Sequence, residues 1–155
     1  MEIEIPGYQT LQIEHLVMDY NGTLAVDGQL IDGVREALNE IARSITLHVL
    51  TADTFGKAAA GLEGVNCKLS ILPRADQAGG KLDYVRAIGA DRTMSIGNGR
   101  NDRLMLQASG LGVAVILEEG AAMETVTSAD IVCRSIVSAL ELLTNPLRLT
   151  ATLRS

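Results

Sequence analysis

Four short stretches of the sequence carry residue types that handle phosphate groups. The first is residues 18–24, MDYNGTL, which directly follows an apolar, strand-like run. A carboxylate such as Asp19 can attack a phosphoryl group and form an aspartyl phosphate, which splits one difficult displacement into two easier steps. Gly22 lets the backbone turn closely so that amide N–H groups can face a phosphate, and Thr23 adds a hydroxyl. An isolated aspartate here would more simply cap a turn, so the interpretation depends on the other stretches.

The second and third stretches supply a hydroxyl and an ammonium group. Thr51, in residues 50–53 (LTAD), can donate a hydrogen bond to the same phosphate, although a cap of the next helix is the alternative. Lys81 follows two glycines at a predicted helix start, where its charge opposes the helix dipole at a small cost. Placing an ammonium beside a phosphate and Asp19 would justify that cost. The alternative for Lys81 is a solvated surface side chain.

The fourth stretch, residues 97–102 (GNGRND), is a candidate metal site. Asn98 and Asp102 stand four residues apart across a predicted helix start. Such oxygen donors suit magnesium, which proteins hold with few carboxylates, waters and phosphate oxygens. The alternative is an ordinary strand–turn–helix corner in which Asn101 or Asp102 caps the helix, so the pair is informative only together with Asp19.

Strand and helix patterns alternate along the chain after a short N-terminal β-hairpin predicted at residues 2–5 and 11–13. Strands are predicted at 15–20, 46–50, 68–72, 93–96, 112–117 and 131–133. Helices are predicted at 32–43, 55–62, 80–88, 102–108, 121–128 and 137–143, and 147–155 is left open. Repeated β–α units imply an α/β fold with a mostly parallel central sheet covered on both faces. Because chemistry collects at the carboxyl ends of such strands, Asp19, Thr51 and Asn98 are expected at one edge.

Composition limits the function classes. The length of 155 residues predicts one domain, residues 1–155, and the net charge of −6 argues against a nucleic-acid or anionic-membrane surface. Three tyrosines and one phenylalanine are too few for a base-stacking platform. Two cysteines without metal-ligand spacing are predicted to be reduced core residues, and both histidines to have structural or surface roles rather than to bind metal. Without a signal-like or membrane-length apolar run, the expected compartment is the cytoplasm.

In this order, the four motifs resemble those of the haloacid dehalogenase superfamily of phosphatases and phosphotransferases. The resemblance implies a Rossmann-like three-layer sandwich and a magnesium-dependent reaction through an aspartyl phosphate. It implies a catalytic set of Asp19, Asn21, Thr51 and Lys81, a phosphate-binding set of Gly22, Thr51, Ala52, Lys81 and Asn101, and a metal set of Asp19, Asn21 (through its backbone carbonyl), Asn98 and Asp102. More narrowly, the motifs resemble soluble proteins related to the phosphorylation domain of P-type ATPases.

Two residues depart from the family pattern. Family phosphatases usually carry at position 21 an aspartate that acts as general acid and then base, and losing such a group typically costs ~10²–10⁴-fold in rate. Asn98 also replaces a usual aspartate, which should weaken metal binding. The sequence therefore predicts a slow or selective phosphatase or phosphotransferase, and the alternative is a catalytically impaired binding or regulatory module.

The spacing of the motifs predicts a member without a cap domain. Thr51 follows Asp19 by 32 positions, and Lys81 follows Thr51 by 30 positions. A helix and its connections occupy each interval, which leaves no room for a cap domain. The resemblance implies that members without a cap have open sites. Such members act on large substrates, or a neighbouring subunit closes the site. The expected partner is thus a phosphorylated small molecule or a phosphorylated macromolecule, with a homo-oligomer as one way to close the site.

Overall fold

Ten strands and seven α-helices make up the fold in a computed structural model that describes all 155 residues. The strands are β1 (Glu2–Ile5), β2 (Gln9–Gln12), β3 (His15–Asp19), β4 (Ala25–Val26), β5 (Gln29–Leu30), β6 (Thr46–Thr51), β7 (Lys68–Ile71), β8 (Thr93–Gly97), β9 (Leu111–Val115) and β10 (Ile131–Cys133). The helices are α1 (Val34–Ile41), α2 (Ala58–Gly61), α3 (Gln77–Ile88), α4 (Arg103–Ala108), α5 (Met123–Val126), α6 (Ile136–Thr144) and α7 (Pro146–Leu153). Short 3₁₀ turns at Ala90–Arg92 and Arg100–Asp102 precede β8 and α4.

The central sheet has six strands in the spatial order β10-β9-β8-β3-β6-β7, and every neighbouring pair is parallel. The chain moves from β3 to β6 on one side and later crosses to β8 on the other side. In open α/β sheets such a reversal leaves a crevice beyond the carboxyl ends of the strands. The predicted parallel sheet is therefore confirmed, and its switch point lies beside β3.

Apolar side chains on each face of the sheet pack against a layer of helices. Along β3, Leu16 and Met18 point into the larger core cluster, whereas Val17 points into a smaller one, because side chains alternate along a strand. The larger cluster includes buried residues of α1, α6 and α7 and of the β1–β2 hairpin, and the smaller one includes residues of α3 and α4. This is the predicted three-layer sandwich. Both cysteines are free and half-buried at the edge of the larger cluster.

The segment between β3 and α1 holds only the two-stranded hairpin β4–β5. Its turn residues Asp27 and Gly28 both have positive φ, 50° and 78°, as a two-residue hairpin turn of the favoured hand requires. The Tyr20 hydroxyl donates to the Gly28 carbonyl at 3.1 Å and ties this hairpin to the end of β3. The hairpin thus stands as a small flap beside the carboxyl edge of the sheet.

Helices α2, α3 and α5 differ most from the sequence prediction, and α5 covers only Met123–Val126 rather than 121–128. Helix α3 begins at Gln77 rather than at residue 80, because the Asp76 side chain accepts a hydrogen bond from the Gly79 N–H and caps the helix there. Lys81 therefore lies in the second turn and not at the helix start. Helix α2 covers only 58–61, since Asp53 accepts hydrogen bonds from the N–H groups of Lys57 and Ala58 and holds the preceding loop. The segment 147–155, whose sequence pattern is ambiguous, lies mostly in α7. No helix of the chain has the length and apolarity to cross a membrane.

Candidate active site

Three polar residues meet at the carboxyl edge of the sheet, as the strand pattern predicts. Asp19 ends β3, which lies between β6 and β8. Thr51 ends β6, and Asn98 directly follows β8. The register pairs Asp19 with Leu50 and Met18 with Ile96, so the ends of all three strands stand at nearly the same height.

Lys81 reaches this edge from α3 and joins two carboxylates. Its Nζ lies 2.6 Å from Asp19 Oδ1 and 2.6 Å from Asp102 Oδ1. The Lys81 side chain is 0% exposed, so the alternative of a solvated surface lysine is wrong. Asp102 is also fully buried, whereas Asp19 remains 7% exposed. Asp19 is thus the member of this ion triad that solvent and a ligand can reach.

The triad is buried and holds one cation against two carboxylates, and burial and charge together shift the pKa values. Burial, followed by the nearby charge of Asp102, raises the pKa of Asp19 to about 7, although Lys81 acts in the opposite direction. Burial alone would lower the pKa of Lys81, but Asp102 and Asp19 outweigh it and raise that pKa, so the ammonium stays charged. An additional positive charge beside Asp19 would therefore favour its ionised, nucleophilic form.

Asp102 fixes the loop between β8 and α4. Its Oδ2 accepts hydrogen bonds from the backbone N–H groups of Asn98 at 3.0 Å and Gly99 at 2.9 Å, while its Oδ1 faces Lys81. A side chain at position 97 would overlap the Asp102 carboxylate, which explains Gly97. Both Asp102 oxygens are engaged, so this carboxylate orients Lys81 and the loop and contributes its negative charge to the site.

Asn98 connects three loops through its amide. Its Oδ1 accepts a hydrogen bond from the Thr23 hydroxyl at 3.1 Å, and its Nδ2 donates to the Gly120 carbonyl at 3.0 Å. The second bond needs an amide N–H, because a carboxylate would place an oxygen against the Gly120 carbonyl. This contact with the loop after β9, which the sequence pattern does not reveal, gives a structural reason for asparagine at position 98.

Gly22 lets the backbone turn closely after Asp19. Its own N–H donates to the Ala25 carbonyl at 2.7 Å within this turn. Its φ is 79°, and a Cβ atom here would overlap the Asn98 side chain. Glycine at position 22 therefore lets the turn after Asp19 close against the Asn98 loop.

The remaining predicted residues keep donor or acceptor capacity. The Thr51 hydroxyl accepts from the Asp53 N–H at 2.9 Å, and its own proton is left for donation, so the capping role and the phosphate role are compatible. Ala52 follows Thr51 directly and is half-buried. Asn101 donates to Gln77 Oε1 at 2.7 Å. The Oδ1 atom of Asn21 is the one buried side-chain oxygen or nitrogen without a hydrogen-bond partner.

The oxygen-rich donors at this edge fit a divalent metal ion with an incomplete protein shell. No group of three or more His, Cys, Asp or Glu side chains is placed to hold an ion by itself. The donors are instead the Asp19 carboxylate, amide and backbone oxygens, and the triad carries an uncompensated negative charge. Magnesium suits such a set, because it usually keeps several waters and is shared with substrate phosphates.

The two histidines lie away from this edge and form a structural chain. His15 begins β3, and its Nδ1 lies 3.2 Å from His48 Nε2, while His48 Nδ1 lies 2.9 Å from the Tyr84 hydroxyl. Burial, then the nearby charges of His15 and Lys68, lower the pKa of His48 to about 4. The predicted structural role of the histidines accords with this packing.

His48 should make stability depend on pH. Its pKa is depressed on folding, so its stabilising effect is complete above the ordinary value of 6.5 and is lost as pH falls towards 4. Between pH 7 and pH 4.5, the unfolding free energy should fall by about 2 kcal/mol more in the wild type than in His48→Gln. Urea unfolding at both pH values measures this difference, in which the shared contribution of Asp19 cancels. Parallel losses in the two proteins would contradict the expectation.

A family comparison places the chain among known proteins. A model described as haloacid dehalogenase-like hydrolase matches residues 82–136, which include the loop 97–102. The uncharacterized protein MJ0073 of Methanocaldococcus jannaschii is 49% identical over 63 residues, covering 41% of this chain and 68% of that protein.

Solved structures share the fold at low identity. The cobalt-bound form of a deoxy-D-mannose-octulosonate 8-phosphate phosphatase from Haemophilus influenzae has a TM-score of 0.67 and 16% identity, covering 93% of this chain and 94% of that one. A 3-deoxy-D-manno-octulosonate 8-phosphate phosphatase from Moraxella catarrhalis, in complex with a magnesium ion, a phosphate ion and KDO, has a TM-score of 0.64 and 18% identity, covering 92% and 94%. These relatives carry no P-type ATPase description, so that narrower likeness stays a prediction. Residues 82–136 match the haloacid dehalogenase-like hydrolase family, and the chain as a whole shares the fold of these solved structures.

Proposed function

We propose that this protein is a magnesium-dependent phosphatase or phosphotransferase that works through an aspartyl phosphate on Asp19. The observation that carries the proposal is the buried Lys81 bridge, with Nζ at 2.6 Å from both Asp19 and Asp102. Structural ion pairs also occur in cores, but this one ends at the switch point of the sheet, on a carboxylate that solvent reaches. The phosphatases that share the fold support the same reaction class.

In the first step, the Asp19 oxygen that is not bound to Lys81 attacks the phosphorus atom of the substrate. A bond forms between this oxygen and phosphorus, and the bond from phosphorus to the leaving oxygen breaks. Lys81 holds the other Asp19 oxygen and so fixes the direction of attack. The Thr51 hydroxyl and the Asn101 amide would bind phosphate oxygens.

In the second step, a water oxygen attacks the same phosphorus atom, the bond to Asp19 breaks, and the carboxylate and free phosphate return. Asn21 holds no titratable proton, so the leaving oxygen departs without protein acid and the water proton passes to solvent. This predicts a preference for good leaving groups, such as acyl and aryl phosphates.

A bound divalent cation would neutralise charge on the phosphate oxygens and on Asp19. The donors that would hold it are the Asp19 carboxylate, the Asn21 backbone carbonyl and the Asn98 amide oxygen. Asp102 would support it by charge and by orienting Lys81 and the loop at Asn98.

Trapping the phosphoenzyme tests the proposal. Protein incubated with magnesium and ³²P-labelled acetyl phosphate should acquire an acid-stable label that hydroxylamine removes, as expected for an acyl phosphate. Asp19→Asn should remain unlabelled, whereas Asp83→Asn, an exposed control on α3, should label like the wild type. Equal labelling of Asp19→Asn, or no label on the wild type with magnesium, manganese or cobalt, would refute the mechanism.

A further inference from the structure

A cavity of about 460 Å³ lies beside the candidate active site and is lined by three arginines. These are Arg74, in the loop after β7, and Arg100 and Arg103, which flank the turn into α4. Asp76, Gln77 and Asn101 complete its polar lining. We call this feature the arginine cavity.

The arginine cavity adjoins the site through two elements. On the α4 side, its residues Asn101 and Arg103 stand immediately before and after Asp102, whose carboxylate holds Lys81. On the α3 side, Gln77 lies one helical turn before Lys81 and accepts a hydrogen bond from Asn101 at 2.7 Å. Asn101, which is proposed to bind the phosphate, therefore also lines the cavity.

The cavity is locally positive in a chain whose net charge is −6. Three arginines face a single lining acid, Asp76, whose carboxylate accepts a hydrogen bond from the Gly79 N–H at 3.1 Å. Arg100 is neutralised by Glu124, at 2.9 and 3.0 Å from its Nε. The other two arginines are not so neutralised.

Arg103 and Arg74 keep their charge for a ligand. The Arg103 guanidinium donates to the Arg100 carbonyl at 2.7 Å, which holds this half-buried side chain in place without cancelling its charge. Arg74 is exposed and makes neither an ion pair nor a side-chain hydrogen bond. Two guanidinium groups that line one cavity offer the forked donors that carboxylate and phosphate groups accept.

We propose that the arginine cavity binds a second anionic group of the substrate, so that preferred substrates are phosphate monoesters bearing another carboxylate or phosphate. This inference rests on the proposed phosphatase function, because it takes the first phosphate to lie at Asp19. Arg74 and Arg103 are then specificity-determining residues, which act on binding of the second group and not on the phosphoryl transfer itself.

Matched substrate pairs test the inference by turnover. 3-Phosphoglycerate is compared with glycerol 3-phosphate for a carboxylate, and fructose 1,6-bisphosphate with fructose 6-phosphate for a second phosphate. In the wild type, kcat/KM should favour the more anionic member of at least one pair by about 10–100-fold, the effect of charge-assisted hydrogen bonds. The pair that responds identifies the anion. Arg74→Gln/Arg103→Gln should abolish the preference and leave p-nitrophenyl phosphate turnover unchanged.

A binding experiment separates this inference from the proposed function. Calorimetric titration of Asp19→Asn with the same pairs, with and without the two arginine substitutions, needs no turnover. Arg43→Gln/Arg154→Gln also removes two positive charges, at exposed positions outside the cavity, so it is the charge-matched control and should keep the preference. Arginine-dependent preference in binding without turnover would support the cavity and reject the phosphatase. Turnover without any preference, or a preference that survives the double substitution, would overturn the inference.

Discussion

Replacing Lys81 with methionine is expected to lower the free energy of unfolding by about 3–5 kcal/mol, the cost of breaking one side of a buried ion pair. The substitution leaves Asp19 and Asp102 facing one another without the ammonium that lies 2.6 Å from each. Because methionine fills a similar volume, the loss reports electrostatics rather than a cavity. Urea unfolding at pH 8 measures it.

The pH dependence of this loss provides a second readout. Without Lys81, the two carboxylates escape repulsion by protonation, so the destabilisation should be smaller at pH 5 than at pH 8. Lys57→Met removes an exposed lysine at the start of α2 and should change stability by less than about 0.5 kcal/mol. A loss in Lys81→Met as small as that of this control would mean that the triad does not form. Phosphoenzyme formation should disappear in Lys81→Met. Asp19 then loses the ammonium group that favours its ionised form and that holds one of its oxygens in place.

Replacing Asn21 with aspartate is expected to raise the hydrolysis rate of alkyl phosphates by about 10²–10⁴-fold, the usual contribution of a general acid–base group. The side chains are nearly isosteric, and the Asn21 Oδ1 atom is buried without a hydrogen-bond partner, so an oxygen that can carry a proton fits this position. The hydrolysis rate of acyl phosphates should rise far less, because their carboxylate leaving group departs without protonation. Steady-state kinetics on one alkyl and one acyl phosphate therefore measures both the gain and its cause.

Asn66→Asp supplies the matched control for this substitution. Asn66 is exposed between α2 and β7, and its change to aspartate adds the same charge away from the site. It should leave both rates unchanged. An Asn21→Asp variant with no gain on either substrate would favour the second function, a binding or regulatory module for a phosphorylated partner, because the remaining machinery would then be incompetent for turnover.

The positions of the strand ends follow from local sequence. Apolar runs bounded by Gly, Asp and Asn predict β3, β6 and β8 to within about one residue, because strand burial and turn chemistry depend on near neighbours. Parallel pairing then follows from the β–α alternation and brings Asp19, Thr51 and Asn98 to one edge. This part of the candidate site can be predicted without coordinates.

Contacts between distant segments cannot be predicted from local sequence patterns. Lys81 lies 62 residues from Asp19 and 21 from Asp102, and only the packing of α3 on the sheet determines that its ammonium meets both. Its placement also depends on α3 beginning at the Asp76 cap rather than at residue 80. From sequence, a buried bridging lysine and a solvated lysine share the same local pattern.

The same division applies to Asn98 and to the arginine cavity. The sequence by itself determined the fold class and the order of the phosphate motifs, since these depend on periodicity and on short turns. The tertiary structure decided that Asn98 needs its amide for the Gly120 carbonyl and that Arg74 and Arg103 line the same cavity. The physical reason is that burial, ion pairing and charge clustering depend on which loops the sheet brings together.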